Sequence, residues 1–414
     1  LFSFLTRISF VWFLLFKSGI SIASYLANPT LIGVFMDKKT KLNKIRYGVV
    51  GLGHIAQSAV LPAFKNASSN SVLTTLISED KEKLKTLAKK YKVENTYLFE
   101  DMEACFMKQE IDALYIATPN DHHREILELA AQYKIHVLCE KPMAVTLFDC
   151  QHMEQVAKKN HIKMMIAYRL HFEEANLEAI KLCREGAIGD LKFFNSSFSY
   201  QVRDKKNIRL NPTSVGGGAL YDIGIYCINA SRYLFKAEPI EVVAFSATSD
   251  DPRFINTEET TSAILRFPDE KLAAFTVSFG AYQSSDYEII GEKGRIRLEN
   301  AYEYASPMKL SGFILDRKKE MRRITKKYKQ RDQFSAEILY FSDCILRDKA
   351  PEPGPVEGIA DVKIIQAILE SIHFKRPVSL EPVHKTVYPG TKQKFIRPGV
   401  RRRKTFHANI PGKK

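Results

Sequence analysis

The feature that most constrains the fold is a regular alternation of short apolar runs and amphipathic segments that begins at Ile45. Helix-like segments separate five apolar runs of strand length, IRYGVVG, SVLTTLIS, IDALYIAT, IHVLCE and KMMIAY. Buried strands that alternate with helices form βαβ units, whose strands are parallel and covered on both faces. Residues 44–168 are therefore predicted to form an α/β domain of the Rossmann type.

A different pattern follows Tyr168. Strand-like segments separated by turn signals now predominate, among them IEVVAFSAT, TTSAILRF and KLAAFTVSF. Two helices are predicted near 334–347 and 356–374. Residues 169–384 are therefore predicted to form an α+β domain with a large open, mostly antiparallel sheet. A chain of 414 residues with 45% hydrophobic residues is long enough for two such cores.

The net charge of +15 is concentrated in two segments. Residues 385–414, a basic tail, carry ten Lys or Arg and no acid, and residues 317–331 carry nine basic residues and one acid. The rest of the chain is slightly negative and shows no nucleic-acid module, so nucleic acid is not expected as a partner. Both segments are interpreted as solvated charge runs, with contact between 317–331 and an acidic substrate as the alternative.

Residues 1–43 are predicted to be a disordered extension. Only nine uncharged residues lie between Arg7 and Lys17, too few to span a bilayer, so no stable membrane insertion is expected. The extension is interpreted as sequence that precedes a true start at Met36, or as an export signal. The six cysteines show no disulfide or metal-ligand spacing, so no metal is expected. A cytoplasmic location is predicted, with a periplasmic one as the alternative.

The motif GLGHIA follows the first predicted strand and opens a helix. Gly51 permits a tight turn, and Gly53 lets the backbone approach a pyrophosphate. The first amides of the helix, at His54 and Ile55, would face that anion. In the context of five strand–helix units, this motif predicts a dinucleotide cofactor.

The end of the second strand indicates which dinucleotide is bound. An acid at this place would accept hydrogen bonds from the ribose hydroxyls of NAD, but the strand ends in Ser78, and Lys83 follows. A hydroxyl and a cation suit a 2′-phosphate better, which favours NADP. The neighbouring Glu79 and Asp80 keep NAD as the alternative.

The stretch GGGALYDIGIYCIN, residues 216–229, contains the candidate catalytic groups. Asp222 and Tyr226 are four residues apart on an otherwise apolar helix, so they share one face. Lys141 ends the strand HVLCE, at the edge of the sheet where ligands bind. Tyr226 is predicted to accept a hydroxyl proton, Lys141 to stabilise the phenolate, and Asp222 to hold the lysine and orient substrate. Alternatively, Asp222 pairs with an arginine and Tyr226 is a core aromatic.

Five motifs together resemble the glucose–fructose oxidoreductase / inositol dehydrogenase family of NAD(P)-dependent oxidoreductases. They are GLGHIA, ATPNDHH, CEKPMA, AYRLHF and GGGALYDIGIYCINASRYLF, and the resemblance covers roughly residues 44–380. It is greatest for the family members with a tyrosine at position 226, which include the glucose–fructose oxidoreductases and the dimeric dihydrodiol dehydrogenases. The resemblance implies that Lys141, Asp222 and Tyr226 carry the chemistry.

The resemblance also implies a set of cofactor contacts. Those to the nicotinamide ribose map onto Thr118, Pro119, Asn120, His123, Glu140, Lys141 and Arg169. Arg209 is a further implied contact, although Ile208 stands where glucose–fructose oxidoreductases have a tryptophan.

For function, the resemblance implies hydride transfer between a sugar or polyol and NADP. Dehydrogenation of a trans-dihydrodiol or of a nucleotide-linked sugar is an alternative, and so is a non-catalytic NAD(P)-binding regulator. The open sheet of the second domain is expected to form a homodimer or homotetramer.

Overall fold

The computed structural model describes residues 44–400 and 404–408, so the predictions for residues 1–43 lie outside the described residues. Strand pairing in this part of the chain produces a six-stranded sheet and a nine-stranded sheet. No helix among the described residues has the length and apolar character needed to cross a membrane.

The first sheet is parallel throughout, with the order β3-β2-β1-β4-β5-β6. Its strands are β1 (Ile45–Val50), β2 (Ser71–Ile77), β3 (Asn95–Tyr97), β4 (Ala113–Ile116), β5 (His136–Cys139) and β6 (Met164–Ile166). The strand order reverses between β1 and β4, and ligands bind beside the carboxyl ends of strands at such a point. This order confirms the predicted Rossmann domain.

Helices connect these strands, because each parallel pair needs a crossover. They are α1 (Leu61–Ala63, which continues a π-helical turn, Ala56–Val60), α2 (Lys81–Tyr91), α3 (Met102–Met107), α4 (His123–Gln132) and α5 (Leu147–Lys159). The sequence did not predict β3 and α3, which are too short for a clear hydrophobic period.

The second sheet is open, with the order β14-β13-β12-β11-β7-β10-β9-β8-β15. Its strands are β7 (Leu191–Ser199), β8 (Glu241–Ala247), β9 (Thr260–Arg266), β10 (Leu272–Ser278), β11 (Ser284–Gly291), β12 (Gly294–Glu299), β13 (Met308–Leu315), β14 (Met321–Tyr328) and β15 (Val378–Ser379). The β7–β10 pair is parallel and the others are antiparallel, which confirms the predicted mostly antiparallel sheet.

The basic segment 317–331 is largely a strand of the second sheet. Most of it forms β14, an edge strand whose lysines and arginines are largely exposed. Charged side chains on an edge strand hinder pairing with further strands. This gives the charges a structural role that requires no substrate.

Four further helices pack against the two sheets. They are α6 (Glu174–Arg184), α7 (Ile225–Phe235, which continues a π-helical turn, Leu220–Gly224), α8 (Gln333–Leu346) and α9 (Pro355–Phe374). Helix α7 contacts β7 and α9, while α9 also contacts α5 and β6 of the Rossmann part. Helix α9 therefore joins the two parts of the fold, and the carboxyl ends of β4 and β5 face the start of α7.

The described part of the basic tail is held against the body at several points. The ammonium group of Lys385 is buried against Glu357. Pro398 forms a β-bridge with Arg331, and its carbonyl accepts a hydrogen bond from Asn66. Residues 404–408 then lie beside the first helix of the Rossmann part. The tail is therefore attached to the body at these points, while Lys392, Lys394 and Lys404 stay exposed.

Candidate active site

The glycine turn after β1 has the geometry that its sequence predicts. Gly51 has a φ of +86°, and a Cβ atom there would lie 2.6 Å from the backbone of Ala117. A Cβ atom on Gly53 would meet no other atom within 4 Å. Gly51 is therefore required by close packing, while the space beside Gly53 fits a pyrophosphate held by the helix amides. His54 and Ile55 follow directly, at the start of the first helix.

The segment after β4 supplies the next predicted contacts. Thr118 and Pro119 lead from the strand into α4, and the hydroxyl of Thr118 is buried without a hydrogen-bond partner among the described residues. A cofactor hydroxyl would satisfy it. Asn120 donates a 2.8 Å hydrogen bond to the carbonyl of Gly216. The segment is thereby linked to the glycines before Asp222.

His123 is the first residue of α4 and is buried against the loops that follow β4 and β5. Its side chain has no exposed surface, and its ring nitrogens contact the carbonyls of Thr118, at 3.2 Å, and Pro142, at 3.1 Å. Burial lowers the pKa of the ring. His123 therefore holds the loops after β4 and β5 together.

Lys141 lies at the end of β5, before a cis peptide bond to Pro142. Its Nζ atom donates to the main-chain carbonyl of Asp222, at 2.7 Å, and to its Oδ1 atom, at 3.1 Å. Burial opposes the charge on Lys141, but Asp222, Tyr226 and Glu140 together outweigh this and raise the pKa of the lysine. Lys141 therefore stays an ammonium group and cannot act as the base.

Glu140 is buried beside Lys141. Its Oε1 atom accepts a 2.9 Å hydrogen bond from the hydroxyl of Tyr115, and burial raises its pKa. Tyr115 belongs to β4, so this contact joins the ends of two neighbouring strands. Such a bond limits how far Lys141 can move.

Asp222 is the centre of the cluster. In addition to Lys141, its carboxylate accepts hydrogen bonds from Nε of Arg209, at 2.7 Å, and from the hydroxyl of Tyr200, at 2.8 Å. Burial by itself would raise the pKa of Asp222, but Arg209 and Lys141 hold it well below its usual value. The group is therefore a carboxylate that two cations surround.

Two positive charges lie close to the ring of Tyr226. The centroid of its ring is 5.0 Å from Nζ of Lys141 and 4.9 Å from the guanidinium carbon of Arg169. Arg169 is itself buried and donates to the side chain of Gln333 and to the carbonyl of Tyr302. Two cations therefore lie beside the ring of this one phenol.

The structure thus brings Lys141, Asp222 and Tyr226 together. The alternative reading is partly right, since Asp222 does pair with an arginine, but it also holds Lys141. Arg209, which is expected to contact the cofactor, donates a hydrogen bond to the carboxylate of Asp222. Sequence reasoning missed Tyr200, although it directly follows β7 and so stands at a strand end, where a polar residue is informative.

The loop after β2 contains the predicted determinants of cofactor choice. Ser78 is buried, and its hydroxyl accepts the backbone N–H of Asp80. Asp80 caps α2, because its Oδ1 atom accepts the backbone N–H of Lys83 at 2.9 Å. Its other oxygen contacts His407. Both carboxylate oxygens of Asp80 therefore already have hydrogen-bond partners in the protein. A ribose hydroxyl is not needed to satisfy either of them.

Comparison with known families agrees with this architecture. Residues 45–168 match the family described as "Oxidoreductase family, NAD-binding Rossmann fold". Residues 176–297 match the "GFO/IDH/MocA C-terminal domain". The two matches cover the glycine turn, the loop after β2 and the whole Lys141–Asp222–Tyr226 cluster.

Individual relatives extend over most of the chain. D-xylose 1-dehydrogenase [NADP(+)] from Haloarcula marismortui is 30% identical, over 82% of this chain and 94% of its own length. Trans-1,2-dihydrobenzene-1,2-diol dehydrogenase from Xenopus tropicalis is 24% identical, over 78% and 96%. The crystal structure of aldose-aldose oxidoreductase from Caulobacter crescentus, complexed with glycerol, has a TM-score of 0.76 and 34% identity, over 82% and 100%.

Proposed function

Because the chain belongs to the GFO/IDH/MocA family of oxidoreductases, we propose that it is an NADP-dependent enzyme acting on the CH–OH group of a sugar or polyol. When bound, NADP supplies the hydride chemistry. The glycine turn at Gly51 and Gly53, the loop from Ser78 to Lys83, and Thr118 would hold it. Each of these segments stands at the carboxyl end of a strand of the parallel sheet.

The observation that carries the proposal is the phenol of Tyr226 between two cations. In the oxidative direction Tyr226 takes the proton of the substrate hydroxyl, and in the reductive direction it returns a proton. Lys141 and Arg169 stabilise its phenolate form. Asp222 orients Lys141 through its side chain and its carbonyl.

The relatives support a sugar as the substrate class and NADP as the cofactor. Two of them are named for an aldose or for D-xylose, and the name of the D-xylose enzyme also specifies NADP(+). A regulator that only binds the cofactor would need the glycine turn. It would not need a lysine held by a carboxylate beside a phenol.

The direct test is to mix purified protein with NADP and a panel of aldoses, polyols and a trans-dihydrodiol, and to follow nicotinamide absorbance. We expect reduction of NADP with at least one aldose, at a rate that falls by about a hundredfold or more in a Tyr226→Phe control. Binding of NADP without reduction by any compound would reject catalysis and favour a regulator. Reduction by the dihydrodiol alone would reject the sugar assignment.

Cofactor choice has its own test at Ser78. A charge-assisted contact to the 2′-phosphate is worth roughly 1.5–3 kcal/mol, about tenfold to a hundredfold in affinity. We expect NADP to bind at least about tenfold more tightly than NAD, and Ser78→Asp to reverse the order. Lys83→Ala should weaken NADP and leave NAD nearly unchanged. Calorimetric titration of both cofactors measures this, and tighter binding of NAD to the natural chain would overturn the assignment.

We also propose that the chain forms a homodimer or homotetramer through the open sheet. Large apolar side chains are exposed on four neighbouring strands of that sheet, namely Phe193, Leu272, Ile264 and Phe245, and Phe313 is exposed on β13 farther along. An apolar surface of this kind is typical of an interface. Light scattering should give a mass of two or four chains, and Phe245→Glu should lower it. A monomer at micromolar concentration would contradict the proposal.

A cytoplasmic location is proposed from the cysteines. All six cysteines are buried and none of them forms a disulfide bond, which suits a reducing compartment. Fractionation of the source cells tests this, and recovery of the protein outside the cytoplasm would reject it.

A further inference from the structure

The end of the described chain lies against a segment that would hold the pyrophosphate. We define the strap as residues 404–408. The N–H of Phe406 donates to Oε1 of Gln57 at 2.8 Å, and Nε2 of Gln57 donates to the carbonyl of Phe406 at 2.8 Å. The same amide donates to the carbonyl of Leu52, within the glycine turn, at 2.8 Å. Gln57, which is buried, therefore connects the strap to that turn.

The second attachment of the strap is to the loop after β2. Nδ1 of His407 is 2.9 Å from Oδ2 of Asp80 and must be the donor, because a carboxylate only accepts. Oδ1 of Asp80 is used by the backbone N–H of Lys83. These two hydrogen bonds, first the one from Lys83 and then the one from His407, lower the pKa of Asp80.

The hydrogen bond from His407 affects how Lys83 is placed. Nζ of Lys83 is 4.0 Å from Oδ2 of Asp80, which is beyond hydrogen-bond length, and its side chain is 15% exposed. His407 donates to the same Oδ2 atom at 2.9 Å, so Lys83 and Asp80 form only a long ion pair. A long pair of this kind holds the ammonium of Lys83 less firmly than a hydrogen bond would.

We propose that His407 is a positioning residue for cofactor choice, which turns the Asp80 carboxylate away from a 2′-phosphate and keeps Lys83 available to it. The proposal rests on NADP as the cofactor. Without His407, Oδ2 of Asp80 would take the ammonium of Lys83, which would then be less able to reach the phosphate. A residue near the end of the chain thus contributes to specificity for a site formed by its first strands.

A double-mutant cycle between His407 and Asp80 tests this in the full chain. The dissociation constants of NADP and NAD are measured by calorimetry for the natural chain, His407→Ala, Asp80→Asn and the double variant. We expect His407→Ala to lower the preference for NADP over NAD about fivefold, the scale of one partly exposed charge pair. In the Asp80→Asn background, His407→Ala should have no further effect. Asparagine still caps the helix, so this background keeps α2 intact.

Lys394→Ala is the matched control. It removes a cation from the same tail, where Lys394 is 3.8 Å from Glu174, and should leave the preference unchanged. An unchanged preference in His407→Ala would overturn the proposal, and so would an equal loss in the Asp80→Asn background. Tighter binding of both cofactors to His407→Ala would instead identify the strap as a competitor of the cofactor. If the natural chain bound neither cofactor, the proposed function itself would be wrong.

Discussion

Two buried charged clusters lie at opposite ends of one helix, and they are built in opposite ways. Near its start, the carboxylate of Asp222 accepts hydrogen bonds from Lys141, Arg209 and Tyr200. Near its end, Arg232 donates to three carboxylates, which with it form the Arg232 cluster: Glu238, Glu357 and Asp361. The side chain of Arg232 has no exposed surface, whereas that of Asp222 is 22% exposed.

The difference distinguishes a cluster that stabilises the fold from a cluster whose charges could act in a reaction. In the Arg232 cluster, carboxylates use both ends of the guanidinium, so the cluster is closed to any ligand. Around Asp222 the cations outnumber the carboxylate, and Arg169 adds another positive charge beside Tyr226. A partly open cluster with excess positive charge can stabilise a charge that develops during a reaction. A closed one can only hold the fold.

The largest expected effect is on stability, at Arg232. Arg232→Met should lower the free energy of unfolding by about 3–5 kcal/mol, because it removes the cation that pairs with the buried carboxylates of Glu238 and Asp361. Urea unfolding measures this, with Arg232→Lys as the control that keeps the charge but loses the planar donors. A loss below about 1 kcal/mol would show that the Arg232 cluster is not what holds this end of the helix.

The second-largest effect is expected on turnover, at the cluster of Lys141, Asp222 and Tyr226. Tyr226→Phe and Lys141→Ala should each lower kcat by about a hundredfold or more, the range for lost acid–base catalysis. Their unfolding free energies should change much less than that of Arg232→Met. Steady-state kinetics with the best substrate of the panel, together with urea unfolding, separates the two. Normal turnover in either variant would remove that residue from the mechanism.

A smaller effect is expected at Tyr200. Tyr200→Phe removes one hydrogen bond to a charged group, worth roughly 1.5–3 kcal/mol, so kcat should fall about tenfold or somewhat more. Tyr200 acts through Asp222, so the dissociation constant of NADP should stay unchanged. If NADP affinity fell while kcat did not, Tyr200 would belong to the cofactor site instead.

The smallest effect is a dependence of stability on pH. The pKa of Asp222 is lower in the folded chain than in the unfolded chain, so its stabilising contribution is complete above about pH 4, the ordinary value. It is lost as the pH falls below that value. The stability difference between the natural chain and Asp222→Asn should therefore shrink between about pH 5 and pH 3. A constant difference over that range would mean that Arg209 and Lys141 do not stabilise the carboxylate.

The sequence predicted the parallel sheet and the three central site residues, because both depend on local patterns. Buried strands are continuous apolar runs, and a polar residue at the end of such a run, such as Lys141, stands out. The edge strand β14 was missed, since MRRITKKY is charged on both faces and has no apolar period. Its strand character comes from pairing with β13.

Contacts between distant parts of the chain were beyond sequence reasoning. Glu357 and Asp361 are more than 120 residues from Arg232, and only the packing of α9 on α7 brings them together. The strap is a harder case still. Phe406 is bound through its main-chain N–H and carbonyl, which every residue except proline has, so no side-chain pattern marks the contact.

The π-helical turn Leu220–Gly224 has a consequence for how this helix could change in evolution. A π turn is an α-helix with one residue inserted, so it offsets the residues before it from those after it. Deleting a single residue there would restore a regular helix and rotate Asp222 by about 100° about the axis. Arg232 would keep its place among its carboxylates. The fold could thus survive a one-residue deletion that abolishes the hydrogen bond from Lys141 to the carbonyl of Asp222, so an inactive but well-folded descendant is one deletion away.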